Sequence, residues 1–345
     1  MLKPITIIGG GLAGLTLGIG LRQRRVPVTV WEAGRYPRHR VCGEFISGRG
    51  QTALKELGLL DGIFEAGAIP ARTTAFFSTR AAAPVRELPE PAISISRFIL
   101  DNFLAETFQQ LGGDLRTGER WHGEDRTEGL VHATGRRPQP VANGWRWFGL
   151  KAHARNVRLT ADLEMHLSGS SYLGMSRLKN GEVNICGLFR RPAGGAEKAL
   201  DWQEAMRGEP GSARHERLSA AEFDAGSFCS VAGLSLEPRR AEETADCRVG
   251  DAITMIPPVT GNGMSMAFES ASLAAGPLAA YSAGTLDWSE ARQTVARLCD
   301  KTFARRLMWA GWLQRLMFLT TMQDTLVSCL PRSRWLWRLL VDRTR

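Results

Sequence analysis

Residues 5–34 read ITIIGGGLAGLTLGIGLRQRRVPVTVWEAG, and this stretch decides the fold. A β-rich run, Ile5 to Ile8, leads directly into Gly9, Gly11 and Gly14 at GxGxxG spacing. An apolar helical pattern follows, then a second apolar run, Val26 to Trp31, closed by Glu32. Strand, glycine turn, helix and strand in this order form a dinucleotide-binding βαβ unit. Gly9 permits the sharp turn, Gly11 lets the backbone approach a pyrophosphate, and Gly14 lets the helix pack closely on the strand. The pyrophosphate would lie at the helix N-terminus, where free N–H groups and the helix dipole favour an anion. Glu32 ends the second strand, where a carboxylate can accept hydrogen bonds from a ribose.

The chain has 345 residues, 43% hydrophobic and 23% charged, enough for one large or two joined domains with an ample core. Its net charge of +9 suits anionic cofactors, acidic carrier proteins or an anionic membrane surface. Zinc-finger spacing and aromatic RNA-binding signatures are missing, so nucleic acid is not an expected partner. Six scattered cysteines form no CxxC, which argues against a zinc site or a disulfide framework and for a reducing compartment. No cleavable signal pattern and no membrane-spanning apolar run are visible, so a cytoplasmic location is expected.

Beyond Glu32 a loop carries Arg35, Arg38 and Arg40 ahead of Cys42, Gly43 and Glu44, and leads to a helix over about 50–59. The loop arginines read either as a solvated surface or as contacts to an adenosine phosphate or flavin edge. Residues 71–88 suggest a hairpin, 97–111 a helix, and 114–116 and 129–132 short strands, the last running into ATGRRP. Thr134 and Gly135 there suit a chain passing close to a ligand. From Trp145 to about Phe189 long alternating strands form a meander, with Asn180 and Gly181 as the strongest hairpin signal. Residues 156–167 are expected to be one of these strands, 193–225 to be helical and 227–236 to be a further strand.

A second glycine-rich stretch, GDAITMIPPVTGNGMSMAFESA, begins at Gly250. Asp251 is placed to accept from a polyol, and a long helix opening at Gly261 and Gly263 would stabilise a ring that gains negative charge on reduction. From Asp287 onward the chain is helical, basic and tryptophan-rich, with Arg305, Arg306, Trp309, Trp312 and Arg315, then Arg332, Arg334, Trp335, Trp337, Arg338, Arg343 and Arg345. It reads as a helical cap or as an amphipathic membrane-surface segment.

Together GGGLAGL with Glu32, Arg97 opening RFILDNFL, and GDAITMIPPVTGNGMSMAFESA resemble the FAD-binding signatures of glutathione-reductase-type flavoproteins. That group includes p-hydroxybenzoate hydroxylase-like monooxygenases, flavin-dependent halogenases and geranylgeranyl reductases. RVCGE, GLKAH and YLGMSRLKNGEVNICGLF look closest to the geranylgeranyl reductase-like branch, many of whose members act in natural-product or isoprenoid pathways. The resemblance implies an α/β fold: a discontinuous FAD-binding Rossmann-like domain (1–70, 92–144, 245–285), an inserted β-sheet substrate domain (71–91, 145–244) and a helical C-terminal extension (286–345). It implies that Gly9, Gly11, Leu12, Ala13 and Gly14 cradle the pyrophosphate and that Glu32 and Ala33 meet the ribose, with Arg40 beside them. Arg97 would reach the flavin side of the pyrophosphate, with Thr134 and Gly135 nearby. Gly250 and Asp251 would serve the ribityl chain, and Pro258, Gly261, Asn262, Gly263 and Met264 would border the isoalloxazine.

Two departures from the relatives bear on chemistry. HATGRRP lacks the aspartate of the hydroxylases' DG signature, which leaves NAD(P)H as a candidate donor only. WRWFGL (145–150) lacks the Ile-Pro of the halogenase WxWxIP segment, which argues against halogenation. Cys42, Lys151 and His153 are the candidate proton donors. The leading expectation is a monooxygenase with non-covalent FAD, oxidising a hydrophobic, natural-product or polyketide-like molecule through a flavin C4a-hydroperoxide. That substrate could be free or carrier-bound. The alternatives are a carbon–carbon bond reductase or dehydrogenase of an isoprenoid-like substrate, and a non-catalytic flavin- or lipid-binding protein on membranes.

Overall fold

A computed structural model describes residues 1–124, 127–194, 201–329, 333, 337, 338 and 343. Arg332, Arg334, Trp335 and Arg345 of the basic tail lie outside the described residues. The opening unit folds as read: β1 (Ile5–Ile8), α1 (Leu12–Gln23) and β2 (Val28–Glu32), with β1 and β2 parallel from Ile5 opposite Val28 to Ile8 opposite Trp31. Every residue of α1 from Leu12 to Leu21 is buried, so this helix is covered on all sides rather than amphipathic.

The chain then crosses into a second sheet with β3 (Phe45–Ile46), passes α2 (Arg49–Glu56) and α3 (Leu60–Glu65), and forms β4 (Ile69–Phe77) and β5 (Arg86–Ser94). It returns through α4 (Arg97–Gln110), β6 (Asp114–Thr117) and β7 (Leu130–His132). Next come β8 (Trp145–Arg155), β9 (Leu163–Ser168), β10 (Ser171–Arg177) and β11 (Val183–Pro192), the short helices α5 (Trp202–Arg207) and α6 (Ala213–Leu218), and β12 (Glu222–Ala232). Strand β13 (Cys247–Arg248) precedes α7 (Gly263–Ala283), α8 (Trp288–Met317) and α9 (Thr320–Cys329). One sheet has the order β13-β7-β1-β2-β6 with parallel pairing throughout; the other is eight-stranded, β12-β8-β11-β10-β9-β4-β5-β3.

The Asn180–Gly181 hairpin joins β10 to β11, with φ of 63° and 73° at its two residues. Other expectations shift. Residues 156–162 are not strand, because Asn156 turns the chain at φ 59° and β9 begins only at Leu163. The helical reading of 193–225 reduces to α5 and α6, with 195–200 outside the described residues, and β12 starts at Glu222 rather than Ser227. The domain limits also differ: β3 and the whole of β5 pair in the second sheet. The first part of α8 belongs to the main core, where Val295, Cys299, Phe303 and Ala310 pack with α1 and α7.

Arg306, read as one of a basic run, is buried and forms a bidentate pair with Glu269 of α7, one contact at 2.7 Å. Replacing it with alanine strands a buried carboxylate, so Arg306→Ala is expected to cost about 3–5 kcal/mol in urea unfolding, whereas Arg306→Met with Glu269→Leu costs far less. Equal losses in the single and double variants would contradict this.

Candidate functional site

The first glycine turn divides its work among three positions. Gly9 sits at φ 106°, and a side chain there would stand 2.3 Å from the Ala133 carbonyl oxygen of the strand beyond β7. A side chain on Gly14 would stand 1.9 Å from the Gly9 carbonyl oxygen. Both are committed to packing α1 on the sheet. Gly11 faces open space, and no side chain caps α1, so its first amides remain available to an anion. They border a cleft of about 1150 Å³.

Glu32 at the end of β2 accepts from the amides of Gly10 (2.9 Å) and Gly34 (2.7 Å) and pairs with Arg38 at 2.8 Å through both oxygens. Burial alone would raise its pKa, but Arg38 and the two amides bring it below the usual carboxylate range. Tyr36 donates to the Gly10 carbonyl, tying the arginine loop to the glycine turn. Of the loop arginines, Arg40 lines the cleft and Arg38 holds Glu32, a partner that the sequence reading missed. Ala33 also lines the cleft, as do Glu119, Arg120 and Trp121, which no motif marked; Trp121 meets Trp31 edge-on at 5.4 Å.

Farther along, Arg97 opens α4 and forks onto Asp101 at 2.6 and 2.8 Å. Burial alone would lower the Arg97 pKa, but Asp101 carries it above its ordinary value. Leu12, Ala13, Thr134, Gly135, Asp251, Pro258, Gly261, Gly263 and Met264 all border the same cleft. Three expected contacts do not. Gly14 is packed as described, and Gly250 gives its amide to Ser270 with α1 against it, where a side chain would meet the Ala13 methyl at 2.7 Å. Asn262 accepts from Ser47 at 2.9 Å. No side chain caps α7 either, so a second helix N-terminus, packed beside α1, borders the cleft.

Cys42 lines the cleft as expected, and burial raises its thiol pKa, keeping it protonated. Lys151 and His153 do not line it; they stand behind its wall, fully buried, on Glu44. His153 Nε2 lies 2.7 Å from one Glu44 oxygen, Lys151 Nζ 3.4 Å from the other, and the Arg97 amide donates to that second oxygen at 2.9 Å. Lys151 Nζ is also 3.0 Å from His39 Nδ1, and Glu182 is 3.2 Å from His153 Nδ1. His39, Glu44 and His153 converge closely enough to surround a cation, and the Lys151 ammonium is the cation beside them. Burial alone would raise the Glu44 pKa, but His153 and Lys151 bring it below its ordinary value. Burial, helped by Lys151, pushes His39 down to about 4. Glu44 itself holds a left-handed φ of 54°, a strained setting for a non-glycine residue, sustained by these partners. Asn184 donates to the Cys42 carbonyl and Ser176 to the Gly43 carbonyl, both at 3.0 Å, which pins the loop to the second sheet.

Residues 3–142 match the family model described as FAD binding domain. The chain carries an FAD-binding domain. No curated protein sequence matches the chain. Among solved structures it is similar to PqsL of Pseudomonas aeruginosa in complex with 2-aminobenzoylacetate, with a TM-score of 0.70 and 16% identity over 94% of this chain and 99% of that one. It is also similar to the flavin-dependent brominase Bmp2 (0.71, 17%, over 99% and 95%) and the halogenase PltM (0.74, 15%, over 99% and 83%). At this identity the likeness establishes the fold alone, and PqsL is elsewhere described as a probable FAD-dependent monooxygenase. The residues present fit FAD: bare amides at Gly11, two uncapped helix N-termini and an acceptor at Asp251 share one cleft.

Gly11→Val is expected to leave the protein folded and to weaken FAD about tenfold or more by fluorescence titration, since its side chain enters the pyrophosphate space. Gly14→Val should instead lower the melting temperature, because it collides with backbone. Asp251 has its pKa pushed up to about 6, because burial outweighs Arg136 and Arg97. A carboxyl whose folded pKa is raised favours the folded state most below the unfolded value of 3.8, and this contribution is lost as pH rises through about 6. Asp251→Asn should therefore flatten the stability profile of the flavin-free protein between those limits while weakening FAD; an unchanged profile would contradict the assignment.

Proposed function

We propose that this flavoprotein is a monooxygenase that hydroxylates or oxidises a hydrophobic small molecule of natural-product type. The observation that carries the reading is the continuity of the cleft: past Arg97 and Asp251 it runs on between Val41, Phe45, Val231, Met255 and Ile256. Cofactor space and apolar substrate space are thus one cavity.

Bound FAD supplies electron storage and reaction with oxygen. The chain's own contribution is to hold and dry the site. Gly11 and the first turn of α1 receive the pyrophosphate, Arg97 and Asp251 orient the middle of the cofactor, and the uncapped start of α7 favours negative charge on the ring. The apolar walls exclude water from the reacting face. Trp145 and Trp147 of the WRWFGL segment pack near Arg190, which lies 4.1 and 5.8 Å from their ring centroids, and Trp147 meets Phe318 edge-on. Neither tryptophan lines the cleft, which favours oxygenation over halogenation.

A second reading has its own observation. The protonated Cys42 thiol on the cleft wall could serve as proton donor in reducing a carbon–carbon double bond of an isoprenoid-like substrate. The deciding experiment supplies NAD(P)H, bromide and oxygen-18 gas with a panel of hydrophobic aromatic substrates and reads the product by mass spectrometry. Monooxygenation predicts one oxygen-18 atom per product, drawn from the gas and not from water. A product gaining two hydrogens, with turnover lost in Cys42→Ala, would replace this reading by the reductase, and a brominated product by a halogenase.

A further inference from the structure

We propose that the outer side of α8 and the start of α9 is a docking surface for an anionic phospholipid membrane. Met308, Trp312, Leu319 and Met322 are 62, 53, 50 and 38% exposed, a concentration of large apolar side chains within fifteen positions. Met308, Trp312 and Arg315 of α8 follow at spacings of four and three, which sets them along one side of that helix, and Leu319 and Met322 follow at the turn into α9. The opposite side of the same helices is already satisfied, with Leu313, Met317, Phe318 and Val327 buried against Leu167, Tyr172 and Leu188 of the second sheet. The outer strip is therefore apolar surface that the fold does not need for its own core.

Charge identifies the occupant. From Lys301 to Cys329 the sequence holds four lysines and arginines and one acid. Lys301, Arg305 and Arg315 are exposed beside the strip, whereas Arg306 is neutralised by Glu269. No acidic residue occurs between Lys301 and Gln323, and Asp324 accepts from Ser78 at 2.6 Å. Apolar side chains flanked by cations match a bilayer interface, where acyl chains lie beneath anionic headgroups. A second copy of this chain would bring the same positive charge to the contact. Among the described residues no helix is long and apolar enough to cross a membrane, so the helices would rest on the surface. The inference is independent of the reaction the cleft performs.

The test is cosedimentation of the full-length, FAD-loaded protein with vesicles of phosphatidylcholine alone or mixed with phosphatidylglycerol. Binding is expected to the mixed vesicles, less in high salt, and about tenfold weaker in Met308→Ser/Trp312→Ser and in Arg315→Glu, with FAD content and melting temperature unchanged. The proposal is overturned if the protein stays in the supernatant with mixed vesicles, or if the double variant binds as the parent does. A parent dimer that the double variant converts to monomer would also overturn it and assign the strip to self-association.

Discussion

Everything in the cleft depends on a contact in which no side chain takes part. The Gly9 carbonyl sits where a Gly14 side chain would be, and the Ala133 carbonyl sits where a Gly9 side chain would be. Backbone packed on backbone is what brings the start of α1 to the end of β1 and holds the Thr134–Gly135 turn beside it. Any methyl group in these gaps would lift the helix off the sheet. With it would go the amides that face the cleft, since a helix N-terminus attracts an anion only within about its first turn.

The cleft's other wall is held by charge rather than by close packing. Glu44 has no exposure, a left-handed backbone and two buried cationic or imidazole neighbours from β8, together with the Arg97 amide. Removing a carboxylate from water is costly unless it is paired and hydrogen-bonded, and here the bonds run to two separate elements, β8 and α4. The Arg40–Phe45 loop is consequently attached to α4 and to the second sheet at once. Asn184 and Ser176 repeat the attachment through the loop carbonyls. Cofactor space and substrate space share a wall because the same loop borders both.

The C-terminal helices close the arrangement from outside. The first part of α8 is core to the nucleotide-binding body through Val295, Cys299 and Phe303, while Leu313, Met317 and Phe318 roof the second sheet. One long helix thereby links both sheets, and the Arg306–Glu269 pair fixes its rotation against α7. What that rotation leaves outward is Met308 and Trp312.

The parallel βαβ unit, the second glycine-rich turn at Asp251, the FAD cofactor and the Asn180–Gly181 hairpin were legible in the chain. Each is encoded locally, by glycines at positive φ or close approach and by apolar periodicity over fewer than thirty residues. Most of the named cofactor contacts follow from those turns and do border the cleft. The exceptions show where local reading ends. Gly14, Gly250 and Asn262 belong to the motifs, but their neighbours from other elements turn them toward packing or toward Ser47. Lys151 and His153 drew notice as proton donors, yet Glu44, 107 and 109 positions away, takes both. Arg38 and Arg40 look alike in the loop, and only the position of Glu32 at the end of β2 separates a clamp from a cleft wall. Pairings across such separations depend on strand order and on what burial forces a charge to find, and neither is written in the spacing of residues along the chain.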